Sequence, residues 1–383
     1  MWLKSLLFIA VFSFALHTVA DEWQDYYQRS AEIRVADQAF IARELTRTGL
    51  SLAVQPQPTR HFGFEPDQPH QWFLTDTGRQ ITDSIVSLQT PSGGWSKRTD
   101  MTILRQPGQA FGVEAGYIPT FDNSATTTQL RVLARGITVT GNKKWQKAFY
   151  QGVQLIFNAQ YPHGGWPQNY PLTGGYHDHI TLNDEVTSDI LELLYDISGG
   201  EEDFAFVTPA IRQQAAAHFE KGLTLILELQ QQDQDGLTLW AAQYQHRSLT
   251  PAWARAYEMP ALAVAESAEL VEFLLRLPEP SERLQHAIRA AVRWFQQHSV
   301  YNVNWDREKR VLLPAPGAGP IWPRFAELET NRAIFGDRDH QLYYDVHQVS
   351  LERRQGYAWY TDKPAVVLSK YAGWEQQFSQ PAD

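Results

Sequence analysis

The residues best equipped for chemistry crowd into a few stretches of the chain. The segment GGYHDHITLNDE brings His177, Asp178, His179, Asn183, Asp184 and Glu185 into one short run. The segment PAWARAYEMP sets Arg255 between Trp253 and Tyr257, Arg324 stands in WPRFAEL, and TNRAIFGDRD carries Asn331, Arg332 and Arg338. A His-x-His pair beside carboxylates can bind zinc, but this spacing matches no standard zinc pattern. Carboxylates with asparagine and backbone carbonyls suit calcium better, because calcium takes several hard oxygen ligands; no EF-hand loop is present. Serine and cysteine nucleophiles are excluded, since no G-x-S-x-G elbow occurs and the chain has no cysteine.

The elements that must position these groups repeat. Gly93-Gly94-Trp95 recurs as Gly164-Gly165-Trp166, and a third step of about 70 residues reaches Asp235-Gly236 ahead of Trp240. Amphipathic helices are predicted before the turns, over 82–89, 145–160 and 211–230. Second helices are predicted after them, starting near Asp122-Asn123, Asn183-Asp184 and Glu258; a further helix is predicted over 281–298. Apolar residues such as Ile190, Leu193, Leu194 and Ile197 recur at helical spacing, while few segments alternate with period two. One helical hairpin cannot bury its apolar face alone, so neighbours must close around a shared core. The expected class is all-α dominated: an (α/α) toroid of helical-hairpin repeats, with long irregular loops and little β-structure. In such a fold the Gly-Trp turns share one rim, where Asp122, Asp184, Glu185 and Glu258 collect. These carboxylates either form a cation or sugar site or only cap the helices that follow.

Composition bounds the partners. A formal net charge of −10 argues against nucleic acid. It is also awkward for an acidic ligand, unless a local cationic cleft or a bridging metal overrides it. The N-terminus reads as a signal peptide: Lys4, an apolar run from Leu6 to Leu16, then Thr18-Val19-Ala20 before Asp21. Cleavage after Ala20 would place residues 21–383, as one catalytic domain, in the periplasm or outside the cell, with no membrane attachment afterwards. Absent cysteines fit an exported protein whose core needs no disulfides. A monomer is the default expectation.

Six strings carry a more specific signal: FDNSATTTQLR, NAQYPHGGWPQNYPL, GGYHDHITLNDE, AQYQHRSLTPAWARAYE, TNRAIFGDRD and ERRQGYAWY. Together, over roughly residues 72–360, they resemble the pectate lyases of polysaccharide lyase family 10. The resemblance implies an (α/α) toroid-like fold and eliminative cleavage of polygalacturonate. It implies that Arg255 abstracts the C5 proton and that Asp184 holds calcium (Ca2+) with the substrate carboxylate. Asp122 and Asn123 then belong to the catalytic subsites, with Asp122 linked to calcium. Arg324 and Arg338 bind galacturonate carboxylates, although Pro323 and Ala326 depart from the pattern expected around Arg324.

The chemistry explains why such residues are wanted. β-Elimination removes a proton next to an ionised carboxylate, so charge builds on charge unless cations stand at that carboxylate. Calcium would supply one cation, and arginines grip carboxylates in bidentate fashion. Arginine is a reluctant base, since its pKa lies above about 12; a salt bridge to Glu258 is the alternative role for Arg255. Two other functions compete. A toroid glycoside hydrolase would use Asp184, Glu185 or Glu258 as acid and base, and a binder of acidic oligosaccharides would use the aromatics and arginines alone.

Overall fold

The computed structural model describes residues 2–114, 119–306 and 308–378, with side chains from residue 21 onward. Among the described residues ten helices carry the fold: α1 (Trp2–Thr48), α2 (Asp76–Ser87), α3 (Thr127–Thr140), α4 (Lys143–Ala159), α5 (Val186–Gly199), α6 (Pro209–Leu229), α7 (Val264–Leu274), α8 (Glu282–Gln297), α9 (Leu351–Gly356) and α10 (Lys363–Phe378). The leader expected over residues 1–20 falls on the start of α1, where the side chains lie outside the described residues. Among the described residues no helix is long and apolar enough to cross a membrane.

The chain forms two compact units. One comprises Met1–Asp178 and Asp189–Gly222, the other His179–Ser188 and Leu223–Asp383. Helix dominates, as expected, and the strands are short.

Helix boundaries follow from local chemistry. Thr75, Asn142 and Ser281 accept from backbone amides at the starts of α2, α4 and α8, and Gly141 closes α3 in the left-handed region. The repeated tryptophan does something the periodicity did not reveal. Trp95, Trp166, Trp240 and Trp322 are fully buried, and each indole N–H donates to a carbonyl near the end of a preceding helix. The acceptors are Ile85 (2.7 Å), Ile156 (3.0 Å), Ile226 (2.7 Å) and Phe295 (2.8 Å). A helix leaves its last four carbonyls without intrahelical partners; here a large apolar side chain satisfies one of them from the core. Gly93 lets the first turn form, at φ 113° and with the carbonyl of Gln151 only 2.4 Å from where a Cβ would sit.

A glutamine ladder ties successive repeats together. Gln89 Nε2 donates to Ala148 O of α4, Gln160 Nε2 to His218 O of α6, and Gln230 Nε2 to Ala287 O of α8. These reach 59, 58 and 57 residues along the chain, at 2.8, 2.8 and 3.0 Å. Within the first unit, α1 is fastened to the end of α4 by Tyr26 on Ala159 O, and to loops by Arg34 on Leu172 O, Asp37 on Ser92, and Glu44 on Arg105 and Gly108.

The second unit holds a four-stranded antiparallel sheet in the order 342–343, 333–336, 325–326, 262–263. A core of Tyr257, Met259, Phe325, Ile334, Phe335, Val346, Val349 and Trp359 gathers around it. Gly336 lets the loop containing Tyr257 lie against this sheet, since a Cβ there would sit 2.7 Å from Tyr257 O. The third repeat differs from expectation: α7 starts at Val264, directly from strand 262–263, so Glu258 does not stand at its N-terminus.

Candidate active site

Asp122 and Asp184 do not cap helices. Each lies in a three-residue 3-10 turn that precedes its helix, and the two turns have one design. Asn123 (φ 52°, ψ 45°) and Asp184 (φ 49°, ψ 39°) occupy the left-handed region, followed by Ser124 (φ 56°) and Glu185 (φ 65°). Thr126 Oγ1 donates to Thr120 O (2.9 Å) and Thr187 Oγ1 to Thr181 O (2.6 Å), closing both turns in the same way. Asn and Asp tolerate this backbone better than most residues, yet each left-handed non-glycine residue still costs about 1–3 kcal/mol.

In the first unit, Asp122 is 1 % exposed. The Lys97 ammonium donates to its Oδ2 and lies 3.7 Å from Glu114 Oε2. Asp122 Oδ1 is buried with no hydrogen-bond partner among the described residues, and Asn123 beside it is exposed. Burial pushes the nearby His177 imidazole below its usual range, while the Gly174 backbone and the charges of Asp122 and Asp178 counter it in part. Sequence reasoning missed Lys97, although its place just after the Gly-Trp turn, in GGWSKR, was a signal.

In the second unit the arginines converge on two tyrosines. Arg255 Nε donates to Glu258 Oε2 at 2.7 Å, and its Nη2 to Glu258 Oε1. Tyr357 OH donates to the same Glu258 Oε1 at 2.9 Å. Arg324 lies 4.7 Å from the Tyr357 ring, and Arg255 lies 5.1 Å from the Tyr257 ring, with Arg353 at 4.5 Å and Arg338 at 5.8 Å. The two rings meet edge to face at 5.2 Å. Arg324, Arg338 and Arg255 thus form one cationic cluster, joined by Arg353, which the sequence did not single out.

Arg324 is wedged at the junction of two strand pairs. Its backbone N–H donates to Trp359 O (2.8 Å) and its carbonyl accepts from Val264 N (2.9 Å). Its Nη2 donates to buried Glu266 and to Asn183 Oδ1 (3.2 Å), while Asn183 Nδ2 donates to Asp184 Oδ2 (2.7 Å). Glu266, rather than Glu258, is therefore the acidic group at the start of α7. Arg338 is more open: with a side chain 62 % exposed, it pairs through Nε and Nη2 with Glu352 at 3.1 and 3.0 Å.

Electrostatics follow from these pairs. Burial pushes the Arg255 guanidinium down, but the hydrogen bonds and charge of Glu258 outweigh it and hold the group above the ordinary arginine value. Arg324 shows the same balance, with Glu266 as the main counterweight. The carboxylates invoked for acid–base hydrolysis are held against cations: Glu258 by Arg255, and Glu185 by Lys363 at 3.3 Å.

Among the described residues no three His, Cys, Asp or Glu side chains gather to hold a metal. The partnerless Asp122 Oδ1 is nonetheless an anionic oxygen suited to a cation, and Asp184 is presented on a left-handed turn. Each carboxylate by itself offers oxygen of the kind calcium takes, and in each unit most of a calcium shell would have to come from other oxygens.

A family model described as pectic acid lyase matches residues 89–368. Among solved structures, a family 10 polysaccharide lyase from Cellvibrio cellulosa is 31% identical, with a TM-score of 0.71, covering 81% of this chain and 95% of its own. An aspartate-to-alanine variant from the same organism, solved in complex with trigalacturonic acid, is 30% identical, also with a TM-score of 0.71. It covers 83% of this chain and 99% of its own. A comparison with curated proteins finds no match.

Proposed function

Because this chain belongs to the pectic acid lyase family, we propose that it cleaves (1→4)-α-D-galacturonan by anti-β-elimination, with Arg255 as the group that accepts the C5 proton. The observation that carries this reading is the cluster of Arg255, Arg324 and Arg338 around Tyr257 and Tyr357. A run of cationic groups is what a polymer bearing one carboxylate per sugar requires.

Arg324 and Arg338 bind galacturonate carboxylates, and their charge lowers the cost of building an anion beside the one already present. Asp122 and Asn123 contact sugar in the catalytic subsites. The C5–H electron pair forms the C4–C5 double bond as the bond from C4 to the glycosidic oxygen breaks. The proton passes to the neutral guanidine form of Arg255, which has first given a proton to hydroxide; water protonates the departing oxygen and leaves hydroxide, and the new end carries 4,5-unsaturated galacturonate. Calcium, which the resemblance assigns to Asp184 and links to Asp122, would neutralise the carboxylate next to C5. Since Glu258 holds the Arg255 guanidinium above its ordinary value, the reaction is expected to favour alkaline pH. We read residues 21–383 as one exported, monomeric catalytic module in the periplasm or outside the cell.

The test is ultraviolet absorbance over time with polygalacturonate at alkaline pH, with calcium and again with excess chelator. Absorbance is expected to rise with calcium only and to vanish in Arg255→Ala, because elimination alone conjugates a double bond with the carboxylate. Reducing ends without absorbance would mean hydrolysis and sink the reading.

A further inference from the structure

We propose that Glu258, assisted by Tyr357, is the positioning residue of the reaction: it orients the Arg255 guanidinium so that the edge bearing Nη1 is turned to meet the substrate. This rests on the assignment of Arg255 as the proton acceptor.

Glu258 holds Arg255 from three sides. Its carboxylate accepts from Nε and Nη2 of the guanidinium, and Oε2 also accepts from the Arg255 backbone N–H at 3.2 Å. The main chain closes the same turn, with Glu258 N donating to Arg255 O (2.8 Å) and Ala254 N to Glu258 O (3.1 Å). Side chain and backbone of Arg255 are thus fixed by one residue three positions away. Of the guanidinium nitrogens, Nη1 has no hydrogen-bond partner among the described residues.

The asymmetry of exposure supports this division of labour. The Glu258 side chain is 6 % exposed and the Arg255 side chain 42 %. A buried carboxylate facing one edge of a half-exposed guanidinium turns the other edge outward. Tyr357 adds a neutral donor to Glu258 Oε1 and comes from the segment after α9, 99 residues along the chain. The orientation therefore depends on the fold and not on the Arg255 loop alone. Planar guanidinium–carboxylate pairs fix direction as well as distance, and the value of a reacting group depends steeply on its placement.

The groups facing Arg255 are Glu258 and Tyr257 of its own loop, and Tyr357. Behind Tyr357 stand Arg324 and Glu266; behind Tyr257 stand Arg338 and Arg353. Replacing Glu258 by glutamine keeps an acceptor and removes the charge, so the guanidinium should lose its proton at lower pH. Removing the Tyr357 hydroxyl leaves the Glu258 charge less neutralised, so the shift should run the other way.

The experiment compares wild type, R255A, E258Q and Y357F in the absorbance assay across pH, with melting temperatures recorded for each. E258Q is expected to lose about a hundredfold in kcat, with KM changed less than about threefold. Its alkaline limb should move to lower pH and that of Y357F to higher pH. If E258Q keeps the wild-type kcat and pH profile while R255A is inactive, the positioning role is wrong and the Arg255 reading stands. If R255A retains full activity, it is the Arg255 assignment that fails. Should E258Q not fold, Y357F decides: an upward shift supports the proposal, and an unmoved limb overturns it.

Discussion

At the scale of single residues, the two arginines proposed to bind substrate carboxylates, Arg324 and Arg338, occupy opposite settings, and their variants should separate. Arg338 is exposed and its partner Glu352 is exposed as well, so Arg338→Ala leaves no charge buried. It is expected to raise KM for polygalacturonate about tenfold, the worth of one charged hydrogen-bonded contact, with little change in melting temperature. Arg324 faces Glu266, whose side chain is 2 % exposed and whose Oε2 already lacks a partner among the described residues. Arg324→Ala strands that carboxylate, and breaking a buried pair costs roughly 3–5 kcal/mol. Denaturant unfolding should show this directly. An R324A protein as stable as wild type would mean that Glu266 finds another partner.

At the scale of elements, the contact between α4 and α6 in the first unit contains a titratable joint. His218 stacks on Phe157 at 4.4 Å, and its Nδ1 lies 2.6 Å from Gln160 Oε1. Burial, and secondarily Lys221, lowers its pKa to about 4. An unfolded histidine titrates near 6.5, so between these values the unfolded chain binds the proton and the folded chain does not. Stability should therefore be unaffected by His218 above about pH 6.5, fall as pH drops from there to about 4, and level off below. The ring is partly exposed, which holds the loss to roughly 1–2 kcal/mol after screening. His218→Gln should flatten the slope in that window. An unchanged slope in thermal unfolding across pH would place the proton uptake elsewhere.

At the scale of the whole molecule, the glutamine ladder and the tryptophan caps make the repeat a mechanical unit. Gln230 is 6 % exposed, and its Nε2 satisfies both Thr238 O (2.8 Å) and Ala287 O (3.0 Å) in the second unit. Gln230→Leu keeps the volume, leaves Thr238 O unmet and removes the second donor to the mid-helix Ala287 O, so it should cost roughly 1–3 kcal/mol. The kcat of the folded variant should be unchanged, because the arginine cluster is untouched; a lowered kcat would show that the ladder also sets the site. The same scale resolves the charge paradox. A net charge of −10 opposes an acidic polymer, but Arg255, Arg324, Arg338 and Arg353 stand together in one unit, and local field decides encounter more than net charge does.

The sequence by itself determined the repeat, the helix pairs and the identity of most candidate groups, because apolar periodicity, cap residues and the Gly-Trp turns are local signals. Asp122, Asp184, Arg255, Arg324 and Arg338 were singled out as candidates from residue type and from the strings that carry the family resemblance. Only the tertiary structure decided what each one touches. The helix starting at Val264 rather than near Glu258 released that glutamate to hold Arg255, and Tyr357 reaches it from 99 residues away. The capping of helix ends by buried indoles, the fastening of α1 by scattered polar groups, and the entry of Lys97 and Arg353 were hidden for the same reason. Such pairings arise from packing between elements remote in sequence, and no periodicity within either element encodes its partner.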